Sequence, residues 1–170
     1  MRVVLVGCVK TQLGGAAPAE ELFCSELFRR RRRFAEAARC PWFVLSSRYG
    51  LVRPDDVLDP YDLPLGRQPV AYRRAWGERA VERLAFVLGD LASLEGVTLE
   101  VHAGAAHVDP LREPLARRGA VLLTPLRGLS QGRHLAWYAA TTPSPPPPLP
   151  PPPPPLPPLP HTYRDHFRPE

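Results

Sequence analysis

The turn that follows the first apolar run carries side chains that could do chemistry. The chain begins MRVVLVGCVKTQLGG, so Gly7, Cys8, Lys10 and Thr11 lie together directly after the apolar residues. A glycine lets the backbone approach a ligand, and a lysine ammonium is a compact charge that can anchor an anion or exchange a proton. Lys10 is the only lysine, although Lys and Arg together number 22. We therefore predict that Lys10 binds an anion or acts in catalysis, with a lysine that caps a helix as the alternative.

Cys8 is a candidate catalytic nucleophile, because a thiolate attacks electrophilic carbon when a base is close by. His102 is the only histidine that falls at the end of a predicted strand, so the sequence offers Cys8 paired with His102 as a hypothesis. A cysteine at the end of a strand is also commonly a small buried hydrophobe. Both interpretations of Cys8 stay open at this point.

A second group of polar residues surrounds the sequence LSSRYGLV and the tripeptide PYD. Ser46, Tyr49 and Gly50 follow a predicted strand, and Tyr61 and Asp62 lie in the long loop RPDDVLDPYDLPLGRQP. Long loops inside compact domains are usually functional. We predict that these residues bind a ligand and that Asp62 is a general base or accepts a hydrogen bond from a ribose hydroxyl. The alternative for Asp62 is a cap on the turn after Pro-Tyr.

Strands and helices alternate along the sequence and would hold these side chains in place. The apolar runs VVLVGC, WFVL, VTLEVHAG and AVLLTPL predict strands, and helical periodicity predicts helices over residues 20–38 and 71–94. Shorter helices are predicted at DPLREPLARRG, with Asp109 as N-cap, and at SQGRHLAWYAA. This order predicts one α/β domain with a Rossmann-like, open, mostly parallel sheet of four to five strands and helices on both faces. Ligands bind such sheets at the carboxyl ends of the strands, where Gln131 could read an amide or a base edge.

The composition divides the 170 residues into three segments. We predict a globular domain over 1–142, a polyproline segment over 143–160 and a disordered C-terminal tail over 161–170, because consecutive prolines form neither helices nor central strands. The net charge of +5 favours an anionic partner. No apolar stretch is long enough for a membrane helix or a signal peptide, so we expect a cytoplasmic protein without a membrane partner. The spacing of Cys and His indicates no metal site, and we expect no cofactor.

Four sequence blocks resemble an uncharacterised bacterial domain family of unknown function. The blocks are VGCVKT, APAEELFCSELFRRRRRFAE, PWFVLSSRYGLVRPDDVLDPYDLPL and GLSQGRHLAWY, which span residues 3 to about 139. The family shares the patterns G-C-x-K, S-x-L-F-x-x-R, L-S-x-x-[HY]-G-L and P-Y-D. The resemblance implies functional positions at Gly7, Cys8, Lys10, Ser25, Phe28, Arg31, Ser46, Gly50, Leu51, Pro60, Tyr61 and Asp62.

The resemblance also adds two expectations about roles. Ser25 and Phe28 would lie about one turn apart on the sheet-facing side of the helix over residues 20–38, and Arg31 would point from that helix toward an anion. Tyr49 stands where many family members have histidine, so an imidazole is not required there. A more distant likeness is to the family of the peroxide-stress protein YaaA and to the glycosylase-like domains associated with deazaguanine tRNA modification. That likeness favours nucleobases as ligands.

The sequence therefore predicts a small α/β protein that binds, and could process, a nucleotide or nucleobase. In this hypothesis Lys10 and Arg31 hold a phosphate, Ser46 and Gln131 orient the base or sugar, and Asp62 acts on an N-glycosidic bond. One alternative is a module that binds a nucleotide or nucleic acid without catalysis. The other is an interaction protein whose segment 143–160 docks on a proline-binding domain.

Overall fold

The computed structural model describes residues 1–141, so the segments predicted at 143–160 and 161–170 lie outside the described residues. Residues 1–141 form seven strands and five helices. The strands are β1 Arg2–Gly7, β2 Ala17–Pro18, β3 Trp42–Ser46, β4 Gly50–Val52, β5 Val57–Leu58, β6 Thr98–His102 and β7 Val121–Leu123. The helices are α1 Ala19–Leu22, α2 Glu26–Ala37, α3 Val70–Leu88, α4 Ala105–Arg117 and α5 Gln131–Thr141. Leu65–Arg67 is a single turn of 3₁₀ helix.

The central sheet has five strands in the order β4-β3-β1-β6-β7. The strands β3, β1, β6 and β7 are parallel, and β4 pairs antiparallel with β3. Gly50 begins β4 with a φ of 75°, a left-handed conformation that glycine adopts without strain and that allows the tight reversal after β3. The predicted open, mostly parallel sheet of four to five strands is confirmed. β2 and β5 form a separate antiparallel pair.

Helices cover both faces of the sheet, as predicted. Successive side chains of a strand point to opposite faces, and β1 shows this pattern because both of its faces are buried. Leu5 packs in one cluster with Leu84 of α3 and Leu111 of α4. Val6 packs in the opposite cluster with Phe28 of α2. The strand β1 is therefore the buried centre of the domain, and the residues that follow it are held between the two layers.

The helix predicted over residues 20–38 is broken in the structure. α1 ends at Leu22, and α2 begins at Glu26. Ser25 is the N-cap of α2, where its hydroxyl accepts a hydrogen bond from the Phe28 amide at 3.1 Å. Serine is a preferred N-cap because its oxygen satisfies an amide that has no partner within the helix. Ser25 therefore starts a helix and is not placed as a ligand-binding residue.

Two other helix boundaries differ from the predictions. α3, predicted to extend to Leu94, ends at Leu88 because Gly89 adopts the left-handed conformation with a φ of 89°. α4, predicted to begin at the N-cap Asp109, instead follows Gly104. The earlier start places an additional turn of α4 beside the end of β1. Among the helices of residues 1–141, none is long and apolar enough to cross a membrane.

Candidate functional site

The candidate site lies where the chain leaves β1 and β6, which are neighbours in the sheet. The connection from β1 to β3 runs through α2 on one face, and the connection from β6 to β7 runs through α4 on the other. A crevice opens between two such strands at their carboxyl ends. Gly7 ends β1 so close to β6 that a Cβ atom there would lie 2.6 Å from Ala103 Cβ. The absence of a side chain at Gly7 thus permits the close approach of the two strand ends.

Cys8, Ser47 and His107 form a compact cluster at this crevice. Cys8 Sγ lies 3.2 Å from Ser47 Oγ and 3.4 Å from His107 Nε2, and Ser47 Oγ lies 3.2 Å from the same nitrogen. The three side chains come from the residue after β1, the residue after β3 and the first turn of α4. When the sulfur is a thiolate, the serine hydroxyl and the imidazole N–H can both donate to it. The cluster has the nucleophile–base geometry of cysteine-dependent catalysis.

The packing of Trp76 fixes the position of His107. The Trp76 ring contacts the His107 ring edge to face, with centroids 5.6 Å apart. Trp76 is buried on α3, and its indole N–H donates to the carbonyl of Ser46 at 2.9 Å. Gly77 allows α4 to approach α3 closely, because a Cβ atom at this glycine would lie 2.1 Å from the carbonyl oxygen of Pro110. The imidazole is therefore held by a rigid contact between two helices.

The surroundings of Cys8 favour its ionised form. Burial raises the pKa of the Cys8 thiol, but the hydrogen bond and the positive charge of His107 oppose this effect, as do hydrogen bonds from Ser47 and Tyr61. The net result is a pKa of about 6, lowered from an ordinary value of 9.0. A thiolate is the nucleophilic form of cysteine. At neutral pH Cys8 is therefore mostly ionised and reactive.

A cavity of about 400 Å³ opens onto Cys8. Its size lies within the range of small-molecule sites. The three residues predicted to be catalytic, Cys8, Lys10 and Asp62, all line it, and so does Tyr61. Further polar side chains line the same cavity: Gln12, Ser47, Arg67 and His107. The cavity thus combines a thiol–imidazole pair with two cations and a carboxylate.

Tyr61 is held in the cavity wall by the loop that carries it. Its hydroxyl lies 2.7 Å from Ser46 Oγ, and the Gln12 amide bonds the Tyr61 backbone twice, at 2.9 Å to the carbonyl oxygen and 2.9 Å from the N–H. Burial, and then the negative charge of Cys8, raise the pKa of Tyr61, so its hydroxyl stays protonated. Tyr49 packs edge to face on Tyr61 with centroids 5.6 Å apart. Ser46 and Tyr49 therefore support Tyr61 and do not line the cavity themselves.

The predicted pairing of Cys8 with His102 is wrong. His102 is fully buried, and its Nε2 lies 2.9 Å from Glu100 Oε1 while its Nδ1 lies 2.7 Å from the Tyr138 hydroxyl. Both ring nitrogens thus have partners in the core. Burial lowers the pKa of His102, and the Glu100 carboxylate offsets part of this effect. His107 takes the place beside Cys8 that the sequence hypothesis assigned to His102.

Arg31 does not reach the cavity. Its side chain is buried, and one guanidinium nitrogen donates to the carbonyl of Gly7 at 2.8 Å. This hydrogen bond holds the end of β1 immediately before Cys8. The expectation that Arg31 points toward an anion at the cavity is therefore corrected: the guanidinium supports the backbone of the site from behind.

Thr11 and Gly50, two further predicted ligand-binding residues, do not line the cavity. Thr11 is exposed, and its carbonyl accepts the Cys24 amide at 3.1 Å. Gly50 forms the turn into β4. Gln131 is the first residue of α5, and its side chain lies outside the part of the chain that the structure describes. Within residues 1–141 there is no group of three or more His, Cys, Asp or Glu side chains that could hold a metal ion.

The chain matches one protein-family model. A family of unknown function, DUF6884, matches residues 3–140. The chain belongs to this family. No curated protein and no solved structure matches the chain. The match confirms the predicted membership in a family of unknown function, whereas the individual motifs and the distant likeness to YaaA stay predictions.

Three features of this DUF6884 domain were missed by the sequence interpretation. His107 was missed because the start of α4 was placed at Asp109, which left His107 in a loop. The Gly-Ala-Ala sequence before His107 was the available signal, since glycine is an acceptable N-cap and alanine favours helices. Gln12 and Arg67 lie in irregular segments, so their convergence on the cavity depends on tertiary structure that no local pattern encodes.

Proposed function

We propose that this protein is an enzyme in which Cys8 attacks a small anionic substrate of the nucleotide or nucleobase class. The observation that carries the proposal is the distance of 3.4 Å between Cys8 Sγ and His107 Nε2 in the wall of a cavity that also holds Lys10. Covalent cysteine catalysis requires a thiol nucleophile and a base, such as an imidazole, at hydrogen-bond distance from it. The ammonium group of Lys10 favours a substrate that carries a negative charge.

The proposed roles follow from the contacts of each group. His107 holds the proton of the Cys8 thiol. The sulfur forms a bond to an electrophilic sp² carbon of the substrate, and the bond between that carbon and the leaving group breaks. The electron pair of the broken bond goes to the leaving group. His107 then returns the proton to that leaving group. Ser47 donates to the sulfur before the attack and keeps it aligned. Water resolves the thioester-like or thioimidate-like adduct and restores the thiol.

The assignment to nucleotides or nucleobases is supported by the character of the cavity wall. Lys10 and Arg67 can pair with a phosphate, Asp62 can accept hydrogen bonds from a sugar hydroxyl or a base N–H, and Tyr61 presents an aromatic side chain. An open, Rossmann-like arrangement with its crevice beside β1 suits such ligands. The distant likeness to glycosylase-like domains points the same way.

A second candidate reaction is cleavage of an N-glycosidic bond with Asp62 as nucleophile or base. Asp62 lines the same cavity as Lys10, so a ribosyl group anchored by its phosphate could present its anomeric carbon to the carboxylate. In this reaction the bond from the anomeric carbon to the base breaks, and the base leaves with its electron pair and takes a proton from water. The carbon bonds either to the Asp62 carboxylate, in an ester that water then hydrolyses, or directly to a water-derived hydroxyl. Cys8 would then be dispensable for turnover.

The alternative of a nucleic-acid-binding module has weaker support. It would rest on the run of five arginines in α2, but three of these side chains are paired or buried. Arg30 lies 2.7 Å from Glu26, Arg32 lies 2.7 Å from Glu36, and Arg31 is buried. Internal ion pairs reduce the charge that is available to phosphates of a nucleic acid.

The first experiment is a thermal-shift screen of the full chain against nucleobases, nucleosides and nucleotides. A ligand of the native state raises the melting temperature. Lys10→Gln is expected to abolish the shift, whereas the matched control Arg79→Gln, on the exposed surface of α3, is expected to retain it. Equal shifts in both variants would remove Lys10 and the cavity from the proposal.

Turnover of the ligands found in the screen separates the candidate functions. Covalent cysteine catalysis predicts that Cys8→Ser binds the ligand but loses turnover, and that intact mass spectrometry detects an adduct on Cys8. Cleavage through Asp62 predicts that Asp62→Asn loses turnover while Cys8→Ser retains it. Binding by the wild-type protein without any product, under all conditions, would favour a non-enzymatic binding module.

A further inference from the structure

A second cavity, of about 210 Å³, opens at the ends of β6 and β7. It lies beside the N-terminus of α4, and none of its lining residues lines the cavity at Cys8. Its polar wall consists of Gly104, Asp109, Arg112, Thr124, Arg127 and His134. The carboxyl ends of parallel strands are the usual ligand-binding edge of such sheets. Neither reaction proposed above uses this cavity.

The N-terminus of α4 adjoins this cavity, because Gly104 and Ala105 line it. α4 has 13 residues, and its N-cap is Gly104, which has no side chain to accept from the first amides. The amides of His107 and Val108 both donate to the carbonyl of Gly104. The amides that precede them, at Ala105 and Ala106, are the ones that a helix leaves without an internal acceptor. Together with the positive end of the helix dipole, they favour a bound anion.

His134 supplies an independent indication of a ligand. The residue is 8% exposed and lines the cavity. Among the described residues, its buried Nδ1 has no hydrogen-bond partner. Buried polar atoms in proteins are nearly always hydrogen-bonded, because an unmade hydrogen bond is costly. An oxygen of a bound ligand would satisfy this nitrogen.

The remaining charges of the cavity favour an anion. Arg112 and Arg127 are cations, and the one carboxylate of the wall, Asp109, lies 3.4 Å from Arg112. Asp109 therefore pairs with Arg112, and the charged side chains of the wall still carry a net positive charge. Thr124 adds a hydroxyl donor. Guanidinium groups, a hydroxyl and helix amides are the donors that recognise phosphate oxygens.

We propose that the cavity between α4 and α5 is a second site, which binds a phosphate group through Arg127, Arg112, His134 and the N-terminus of α4. The phosphate can be free inorganic phosphate or the phosphate of a monoester. This site is independent of the Cys8–His107 chemistry. A result that refutes one of the two proposals therefore does not refute the other.

The test is thermal unfolding of the full chain in phosphate-free buffer at constant ionic strength, titrated with inorganic phosphate or with ribose 5-phosphate. We expect a saturable rise in melting temperature for the wild-type protein. Arg127→Gln removes a charge-assisted hydrogen bond, which is expected to raise the apparent Kd about tenfold or more. Arg127 is exposed, so this variant is expected to fold normally. Arg133→Gln, an exposed arginine of α5 outside the cavity wall, is the matched control and is expected to bind like the wild type.

Each further result either supports or overturns the second site. Tighter binding of ribose 5-phosphate than of inorganic phosphate would identify a monoester as the ligand, and the reverse order would identify free phosphate. A loss of binding in Lys10→Gln with none in Arg127→Gln would place the phosphate at Cys8 and overturn the proposal. So would the lack of any saturable shift. As a second readout, the ¹⁵N resonances of the His134 imidazole are expected to move on titration, while those of His107 stay in place.

Discussion

Replacing His107 by alanine is expected to return Cys8 to the behaviour of a poorly ionised thiol. The hydrogen bond and charge of His107 are the largest effects that oppose the burial of Cys8, so their loss leaves burial opposed only by the hydrogen bonds of Ser47 and Tyr61. The pKa of Cys8, about 6 in the wild type, then rises toward the ordinary 9.0. A rise over the full three units lowers the ionised fraction at pH 7 from about nine-tenths to about one-hundredth, roughly a 90-fold loss of thiolate.

The rate of reaction changes much less than the ionised fraction. The nucleophilicity of a thiolate rises with its pKa, with a Brønsted coefficient of about 0.4–0.5 for attack on disulfides. Over three units of pKa this gain is about 16- to 30-fold, so the observed rate at pH 7 falls only about three- to sixfold. The pH at which the rate reaches half its maximum is therefore the decisive quantity.

The assay follows the reaction of Cys8 with an aromatic disulfide across pH 4 to 10, with each cysteine resolved by peptide mass spectrometry. Cys24 and Cys40 serve as internal references. The wild-type midpoint is expected near 6, and that of His107→Ala is expected to move up toward 9. Asp62→Asn, which changes the same cavity but has no hydrogen bond to Cys8 among the described residues, is expected to keep the wild-type midpoint. The same midpoint in the wild type and in His107→Ala would refute the reasoning.

Three further substitutions test the supports of the site. Gly77→Ala would place a Cβ atom 2.1 Å from the Pro110 carbonyl oxygen. We therefore expect urea unfolding to show a loss of about 1–3 kcal/mol in stability, and the thiol reaction of Cys8 to have a higher pH midpoint. Gly132→Ala, with open space around it, should not destabilise the protein. Arg31→Met leaves the buried carbonyl at the end of β1 without its donor, which is expected to cost about 1–3 kcal/mol by urea unfolding. The hydrogen bond with the His102 imidazole lowers the pKa of Glu100, although burial opposes this effect. Stability from this carboxylate is therefore present above its ordinary pKa of 4.5 and lost as the pH falls below that value. Glu100→Gln should flatten the decline in urea midpoint between about pH 4.5 and pH 3, and an unchanged slope would contradict this.

Much of the fold is encoded in local patterns. Short, largely apolar runs predicted β1, β3, β6 and β7. The pattern is clearest in β1 and β3, because a central parallel strand buries both of its faces. The hairpin partner β4 was missed because three residues after a tight turn carry no periodicity. The break between α1 and α2 was missed because Leu, Phe and Ala continue across it with helical spacing. Only the capping hydrogen bond of Ser25 reveals that a new helix starts there.

The site was predictable only in part. Cys8 and Lys10 were proposed because they follow a predicted strand, and Asp62 was proposed because it lies in a long loop. The structure brings all three to one cavity. The partner of Cys8 was not recognised, because its identity depends on where α4 begins and on how closely α3 packs against it. Arg31 illustrates the opposite case: an arginine in a basic run was expected to face a ligand, and it is buried beneath the site.

The ionisation of Cys8 in the unmodified protein is the most direct test of the account. Thiolates absorb near 240 nm, so the difference in absorbance between the wild-type chain and Cys8→Ser, titrated from pH 4 to 10, reports this single thiol. The account predicts one transition with a midpoint near 6. A transition near 9, the ordinary value for a thiol, would show that His107 does not activate Cys8 and would contradict the proposed nucleophile.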